Sequence, residues 1–381
     1  MKMSTHLEID SNFPGGNIVV ERKHEHEVHL HQELRGTGLD WFYWYFRVSG
    51  AAGKTLRFYF TESKAIGVRG PAVSLDHGAT WSWLGKETVR DNSFSYTCPK
   101  DVTTLRLSFT MPYLASHWQN FITGLKNDNS FSLHKLCMSE KGREVEYMLA
   151  GCQQAEPQHR VAITCRHHCC ETSVNYTVEG LIQWVVDSND SDAQWFRNNI
   201  AMLIVPFVDK DGVEEGEQGK GRLPRDHGRD YEGESIFAST EAIRTLLPHW
   251  GADQLQVGLD LHCPWISGPH NEVIYLVGCQ DQRTEREQRR FSEILEAVRK
   301  GPLPFYADDF LPFGKAWNSS ENFTKGKTFS QWLTEMHAVQ LSTTIEIPYA
   351  NAHGAEINQE SARAFGQDLA MALVSYLRNG S

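Results

Sequence analysis

The sequence predicts two units of different class: an all-β sandwich followed by an α/β layer built on a mixed sheet with helices on both faces. Three observations carry this. Short β-favouring runs punctuated by Gly, Pro, Asn and Asp fill the first 120 or so residues with no helical period. Buried-looking apolar runs then alternate with amphipathic stretches to the end of the chain. And 381 residues are too many for one small core and enough for two.

The sandwich strands are read from "GNIVVER", "HEVHLHQE", "DWFYWYFRVSG", "KTLRFYFTES", "FSYTCP" and "TLRLSFTMPY". The aromatic residues among them are expected in the sandwich core rather than on a carbohydrate platform. The boundary is drawn at 122, giving units of 1–122 and 123–381, with "LKNDNSFSLHKL" as the junction. In the second unit "RVAITC" is a short strand, followed by helices at "ETSVNYTVEGLIQWVVDS" and "DAQWFRNN". The run "IAMLIVPFV" ends in a "DKDG" turn. "STEAIRTLLPHW" is a helix, "QLQVGLDLHCPW" a strand, "TEREQRRFSEILEAVRK" a helix, "VQLSTTIEIPY" a strand and "SARAFGQDLAMALVSYLRN" the closing helix.

Composition excludes several classes of function. A net charge of -11 disfavours nucleic acid, whose phosphates need a basic face. No stretch reaches the roughly 18 apolar residues of a membrane span. The N-terminus lacks the apolar core of a secretory signal, so a cytoplasmic location is the expectation. The eight cysteines, without CxxC spacing, are expected as free thiols.

Polar residues of interest sit where apolar strands end: His168 and Glu171 after "RVAITC", His262 after "VGLDL", and Glu346 in "TTIEIPY". In open α/β sheets ligands bind beyond the carboxyl ends of the strands, where distant segments converge. His168 and Glu171, three apart at a strand-to-helix turn, can face one cation, and His262 supplies a third ligand. Three protein ligands and an open position are what a catalytic zinc needs, so one zinc ion per chain is expected. His167 is expected in a supporting role, and Cys169 and Cys170 as buried spacers. Asp260 lies on the same strand face as His262, where it either supports the site or satisfies nearby backbone. The stretch "DKDGVEEGEQGKGR" lacks EF-hand spacing and is read as a solvated loop carrying active-site arginines.

In order along the chain, "RHHCCE", "VDKDG", "DHGRDY", "DLH" and "TTIEIPY" resemble the zinc carboxypeptidases of the M14 class. The resemblance is to the cytosolic-carboxypeptidase-like branch, whose N-terminal β-sandwich "SNFPGGNI" and "WFYWYFRV" also resemble. It implies a zinc metallocarboxypeptidase acting on the C-terminal peptide or isopeptide bond of a short or flexible acidic-tailed peptide or protein. It implies His168, Glu171 and His262 as zinc ligands, and Glu346 as the base that activates water and later protonates the leaving amine. Arg229 matches the arginine that grips the terminal carboxylate, and Asp226 the aspartate that orients the first zinc histidine. Arg222 is the candidate oxyanion stabiliser. Tyr349, near Glu346, is a further candidate substrate-binding residue, at an offset that does not match the family's substrate-capping tyrosine. Where the family has Asn-Arg this chain has Gly228-Arg229, so one donor to the terminal carboxylate is absent. That departure keeps open a zinc amidase of acyl-amino acids, resembling the aspartoacylase-like deacylases. A zinc-retaining binding protein without turnover is the rival from outside enzymology.

Overall fold

The computed structural model describes residues 6–126, 128–154, 156–323 and 326–378. Residues 1–5 of the predicted first unit, residue 127 of the predicted junction and residue 379 of the predicted closing helix lie outside them. The first unit is a sandwich of two five-stranded sheets. One runs Glu8–Asp10, Tyr45–Ser49, Thr104–Ser108, Ala72–Ser74, Ser82–Trp83; the other runs Val19–His24, Glu27–His31, Thr55–Phe60, Ser93–Thr97, Val89–Arg90. All pairings are antiparallel except Glu27–His31 with Thr55–Phe60, which is parallel. A helix that the sequence did not announce, Ala115–Gly124, closes the unit, and the boundary drawn at 122 falls inside it.

The six residues Trp41 to Phe46 are all buried, although an alternating strand would expose every second one. Only Tyr45 and Phe46 are in the strand. The preceding residues wedge between the two units, where Phe42 and Phe109 make edge contacts with Tyr349 at 5.6 and 5.1 Å. One hydrophobic core therefore runs continuously through both units.

The second unit is built on a seven-stranded sheet, its strands numbered here as β1 Phe131–Met138, β2 Glu144–Gly151, β3 His159–Cys165, β4 Ile200–Val205, β5 Leu255–His262, β6 Tyr275–Val277 and β7 Leu341–Glu346. Their order across the sheet is β1-β2-β4-β3-β5-β7-β6. The four central strands are parallel, and β1, β2 and β6 are antiparallel to their neighbours. Helices on both faces explain why β3, β4, β5 and β7 read as near-continuous apolar runs. These helices are α1 Ser173–Asp187, α2 Ser191–Asn199, α3 Ala238–Gly251, α4 Gln282–Val298 and α5 Gln359–Arg378. Among the described residues, no helix is long and apolar enough to cross a membrane.

The "DKDG" stretch is not a simple turn. Asp209 caps a short helix, Lys210–Glu215, by accepting a hydrogen bond from the Gly212 amide. Nor is the following acidic segment solvated. Asp209, Glu217 and Gln218 are buried because this segment docks on the sandwich. The Gln218 side chain accepts from the Tyr43 amide at 2.7 Å and donates to the Tyr43 carbonyl at 2.9 Å. Asn17 donates to the Gly216 carbonyl at 2.7 Å, and Thr37 to that of Lys220 at 2.5 Å. The sandwich thus buttresses the loop that leads into the site.

Candidate active site

Parallel pairing sets the geometry. β5 and β7 are in register, so His262 and Glu346 stand side by side at the carboxyl ends of adjacent strands. β3 ends beside them, and the turn from β3 into α1 carries His168 and Glu171. Nδ1 of His168 is 2.8 Å from Glu171 Oε1, Nδ1 of His262 is 2.8 Å from Glu171 Oε2, and the two imidazole nitrogens are 3.1 Å apart. All three residues are buried.

That turn is held by Arg166, which is 1 % exposed. Its guanidinium donates to the carbonyls of Cys169 at 2.9 Å and Tyr113 at 3.0 Å and to Asn175 Oδ1 at 2.7 Å. The contact with Tyr113 ties the turn to the segment leaving the sandwich. Replacing Arg166 by Met leaves these buried acceptors unpaired, each at about 1–3 kcal/mol. A loss of at least about 3 kcal/mol in urea unfolding is expected, and an unchanged midpoint would rule out this anchoring.

Two further carboxylates orient the imidazoles. Asp260 Oδ2 lies 2.9 Å from His262 Nε2, and Oδ1 is shared by His167 Nδ1 and the Thr164 hydroxyl, both at 2.8 Å. Asp226 Oδ1 is 3.6 Å from His168 Nε2. The Asp260 contact fixes the protonated nitrogen of His262, while Asp226 faces His168 as a charge beyond hydrogen-bond reach, and Nδ1 of each ring is left to face a cation. Burial alone raises the pKa of Glu171, Asp226 and Asp260, yet in each the neighbouring histidines outweigh it and hold the carboxyl far below the usual range. Burial pulls His262 down, but Asp260 and then Glu171 raise it well above its ordinary value.

A second trio, His167, Asp260 and His262, has comparable spacing. It is sealed: His167 is 0 % exposed, with its other nitrogen 2.7 Å from the Tyr231 hydroxyl. The trio of His168, Glu171 and His262 instead opens on a cavity lined by His168, His262, Glu346, Arg229 and Lys220. The donor set fits a zinc ion: three electron-pair donors crowd one point, and Glu171 Oε2 is buried with no hydrogen bond of good geometry.

Burial pushes Glu346 up to about 7; His262 opposes this and Glu171 adds to it. Its Oε2 is also buried without a partner. Burial lowers the pKa of the Arg229 guanidinium, partly offset by Asp226. Gly228 is in the same wall, and a Cβ on it would lie 2.9 Å from His168 Nε2, so the departure from Asn accompanies a close approach of backbone to imidazole.

Two sequence expectations need correction. Arg222 is not brought into this cavity; its guanidinium is bound to Asp209 and Glu217, both at 2.5 Å, and lines a separate one. Lys220, two residues earlier in "GKGR", lines the cavity beside the three converging residues instead and lowers the pKa of both Asp226 and Glu346. Tyr349 is not free to cap a substrate: it is 4 % exposed, wedged against Phe42 and Phe109, with its hydroxyl 3.9 Å from Cys170 Sγ. All eight cysteines are free. Cys169 and Cys170 are buried, and burial pushes the Cys170 thiol up to about 12, which suits spacers rather than nucleophiles.

The arrangement has known counterparts. The structure superposes on a metallo-carboxypeptidase from Burkholderia cenocepacia with a TM-score of 0.82 at 20 % identity, covering 99 % of this chain and 100 % of that one. In sequence it is 23 % identical over 315 residues to cytosolic carboxypeptidase 3 of Bos taurus. The fold is that of the metallo-carboxypeptidases, and the sequence is similar to that of the cytosolic carboxypeptidases. A metallo-carboxypeptidase from Pseudomonas aeruginosa, solved in complex with (2-guanidinoethylmercapto)succinic acid, has the same fold, with a TM-score of 0.78 at 18 % identity over 97 % of this chain and 100 % of that one. The match to the bovine protein takes in 72 % of this chain but only 30 % of its relative's length. No family model matches the chain.

Proposed function

We propose that the protein is a zinc-dependent metallocarboxypeptidase that removes the C-terminal residue of a peptide or protein tail. The observation that carries this reading is the meeting of His168, Glu171 and His262 at one point, beside Glu346 and at the mouth of a cavity that also holds Arg229. His168, Glu171 and His262 would hold a zinc ion, which would supply Lewis acidity, making water acidic toward a pKa of about 7 and polarising the scissile carbonyl. Glu346, a buried carboxyl raised to about 7, takes a proton from the attacking water and returns it to the leaving amine. Arg229 grips the terminal carboxylate, which restricts cleavage to chain ends. Lys220 takes the part first expected of Arg222, its ammonium facing the negative charge that develops on the carbonyl oxygen. Asp260 and Asp226 position the two imidazoles. A cytoplasmic site of action is part of the proposal, by analogy with the cytosolic carboxypeptidases.

Metal analysis combined with a library of peptides varied at the C-terminus tests the reading. Zinc near one equivalent with release of single residues supports it. Release only from acyl-amino acids favours the amidase, and zinc without turnover favours the binding protein. Within the same assay, Arg229→Met should raise KM about a hundredfold with a smaller effect on kcat, because its contact exists before the reaction begins. Lys220→Met should lower kcat more than it raises KM; the reverse pattern for either residue would remove its assigned role.

A further inference from the structure

Apart from the catalytic and binding groups already named, the described lining of the cavity carries no charged side chain. Lys220, Arg229 and Glu346, with the two imidazoles, are the charge-bearing groups among its described lining, and all belong to the machinery above. The inner wall comes from alternate residues of β7. Ser342, Thr344 and Glu346 share one face by the two-residue period of a strand. Thr328, Ser330 and Thr344 form a run of hydroxyls, with oxygens 3.1 and 3.2 Å apart. Hydroxyls can both donate and accept.

Asn318 adds a directional demand. It is 0 % exposed and lines the cavity, and its Nδ2 donates to the carbonyls of Gly278 at 2.7 Å and Leu311 at 3.2 Å. Two carbonyl acceptors fix which end of the amide is nitrogen, so Oδ1 is the other end, and it is buried without a partner. A buried unpaired acceptor costs about 1–3 kcal/mol, so a ligand that donates to it is favoured over one that cannot.

We propose that this cavity holds the side chain of the substrate's last residue and selects a carboxamide, glutamine or asparagine. The inference rests on the carboxypeptidase reading and names its substrate class. A carboxamide can donate to Asn318 Oδ1 while its own oxygen accepts from the hydroxyls. A glutamate or aspartate would bring a further charge to a cavity whose two cations, Arg229 and Lys220, are engaged by the terminal carboxylate and the carbonyl oxygen, and would point lone pairs at a lone pair. Lysine or arginine would bury a cation without a carboxylate, and leucine or phenylalanine would leave Asn318 unsatisfied. The acidic-tailed substrate implied by family resemblance is therefore replaced by a neutral one at the terminal position.

The test uses N-blocked tripeptides that differ only in the last residue, Gln, Asn, Glu, Ser, Lys, Leu or Phe, with the zinc-loaded full chain. A terminal Gln or Asn should exceed Glu, Lys and Leu in kcat/KM by roughly a hundredfold, the kind of discrimination available to a site built to hydrogen-bond its ligand. Calorimetric binding of the same peptides to the zinc-loaded Glu346→Gln protein should give the same order without turnover. Thr344→Val, which keeps shape and removes one hydroxyl, should lower the Gln to Leu ratio about tenfold. Glu, Lys, Leu, Phe or Ser ranked first in either assay overturns the proposal. No turnover of any peptide, with Gln and Asn still bound best, overturns the peptidase reading and leaves the pocket assignment standing.

Discussion

Glu346→Gln should abolish hydrolysis, leave zinc bound and make the metal-free protein more stable at alkaline pH. The first effect follows from losing the proton carrier, a contribution of about 10²–10⁴ in rate. Zinc should stay because Glu346 is not among the converging ligands. The third effect follows from linkage. Folding raises this carboxyl from 4.5 to about 7, mainly by burial. A group with a raised folded pKa contributes stability below its unfolded value and loses it as pH rises through the folded one. Between pH 4.5 and 7 the folded state binds the extra proton, so stability falls as pH rises. Above 7 the full cost of a buried carboxylate is present, up to about 3 kcal/mol. Gln carries no such charge. Urea unfolding of chelator-treated wild type and variant at pH 8 and pH 4.5 should therefore show a gap at the higher pH that closes at the lower. An equal gap at both values would sink the burial account, and undiminished peptide hydrolysis would remove Glu346 as the base. The catalytic pH profile should have an acid limb below about 7, because a bound cation favours the carboxylate form.

Zinc should raise the thermal midpoint of the wild type by several degrees, and His262→Ala should eliminate that response. A ligand that binds only the folded state stabilises it by RT ln(1 + [L]/Kd), about 2.7 kcal/mol at a hundred times Kd. His262 is the residue on which the site turns. Its Nδ1 faces Glu171 and His168 while Nε2 is held by Asp260. Removing it leaves two ligands and takes the partner of Asp260 Oδ2, although Oδ1 keeps His167 and Thr164. Without metal, Asp260 and Glu171 hold His262 protonated well above its ordinary range, so zinc must displace a proton to bind. Zinc affinity should accordingly fall as pH drops, measured by competition with a chromophoric chelator from pH 8 to 6. A thermal shift with zinc that survives in His262→Ala would place the metal elsewhere, and a pH-independent affinity would contradict the protonated imidazole.

The central strands were legible because burial on both faces leaves only apolar choices: Val161–Cys165, Ile200–Val205 and Val257–Leu261 are each nearly unbroken. The hairpin Phe131–Met138 with Glu144–Gly151 was not, because its first strand lies at the sheet edge, half exposed, with Lys135 opposite Glu146 and a bulge before Cys137. The helix Ala115–Gly124 buries only Trp118 and Ile122, too little for a periodic signal. In the site, the spacing of His168 and Glu171 and the strand ends at His262 and Glu346 were readable as chemistry. Which of two neighbouring cations reaches the cavity was not, nor that Asp260 serves both His262 and His167.

The order of residue types by itself determined that this chain makes a sandwich and a mixed α/β sheet, and that its reactive groups collect where strands end. Those properties depend on local burial and on a turn of three residues, which adjacent positions fix. Only the tertiary structure decided that Arg222 is bound by Asp209 and Glu217 while Lys220 lines the cavity, that Tyr349 is core, and that Asn318 lines the cavity with a buried, unpaired acceptor. Each of these depends on what lies across a cleft or an interface between units. Long-range packing sets that partner, and no period or spacing in the chain encodes it.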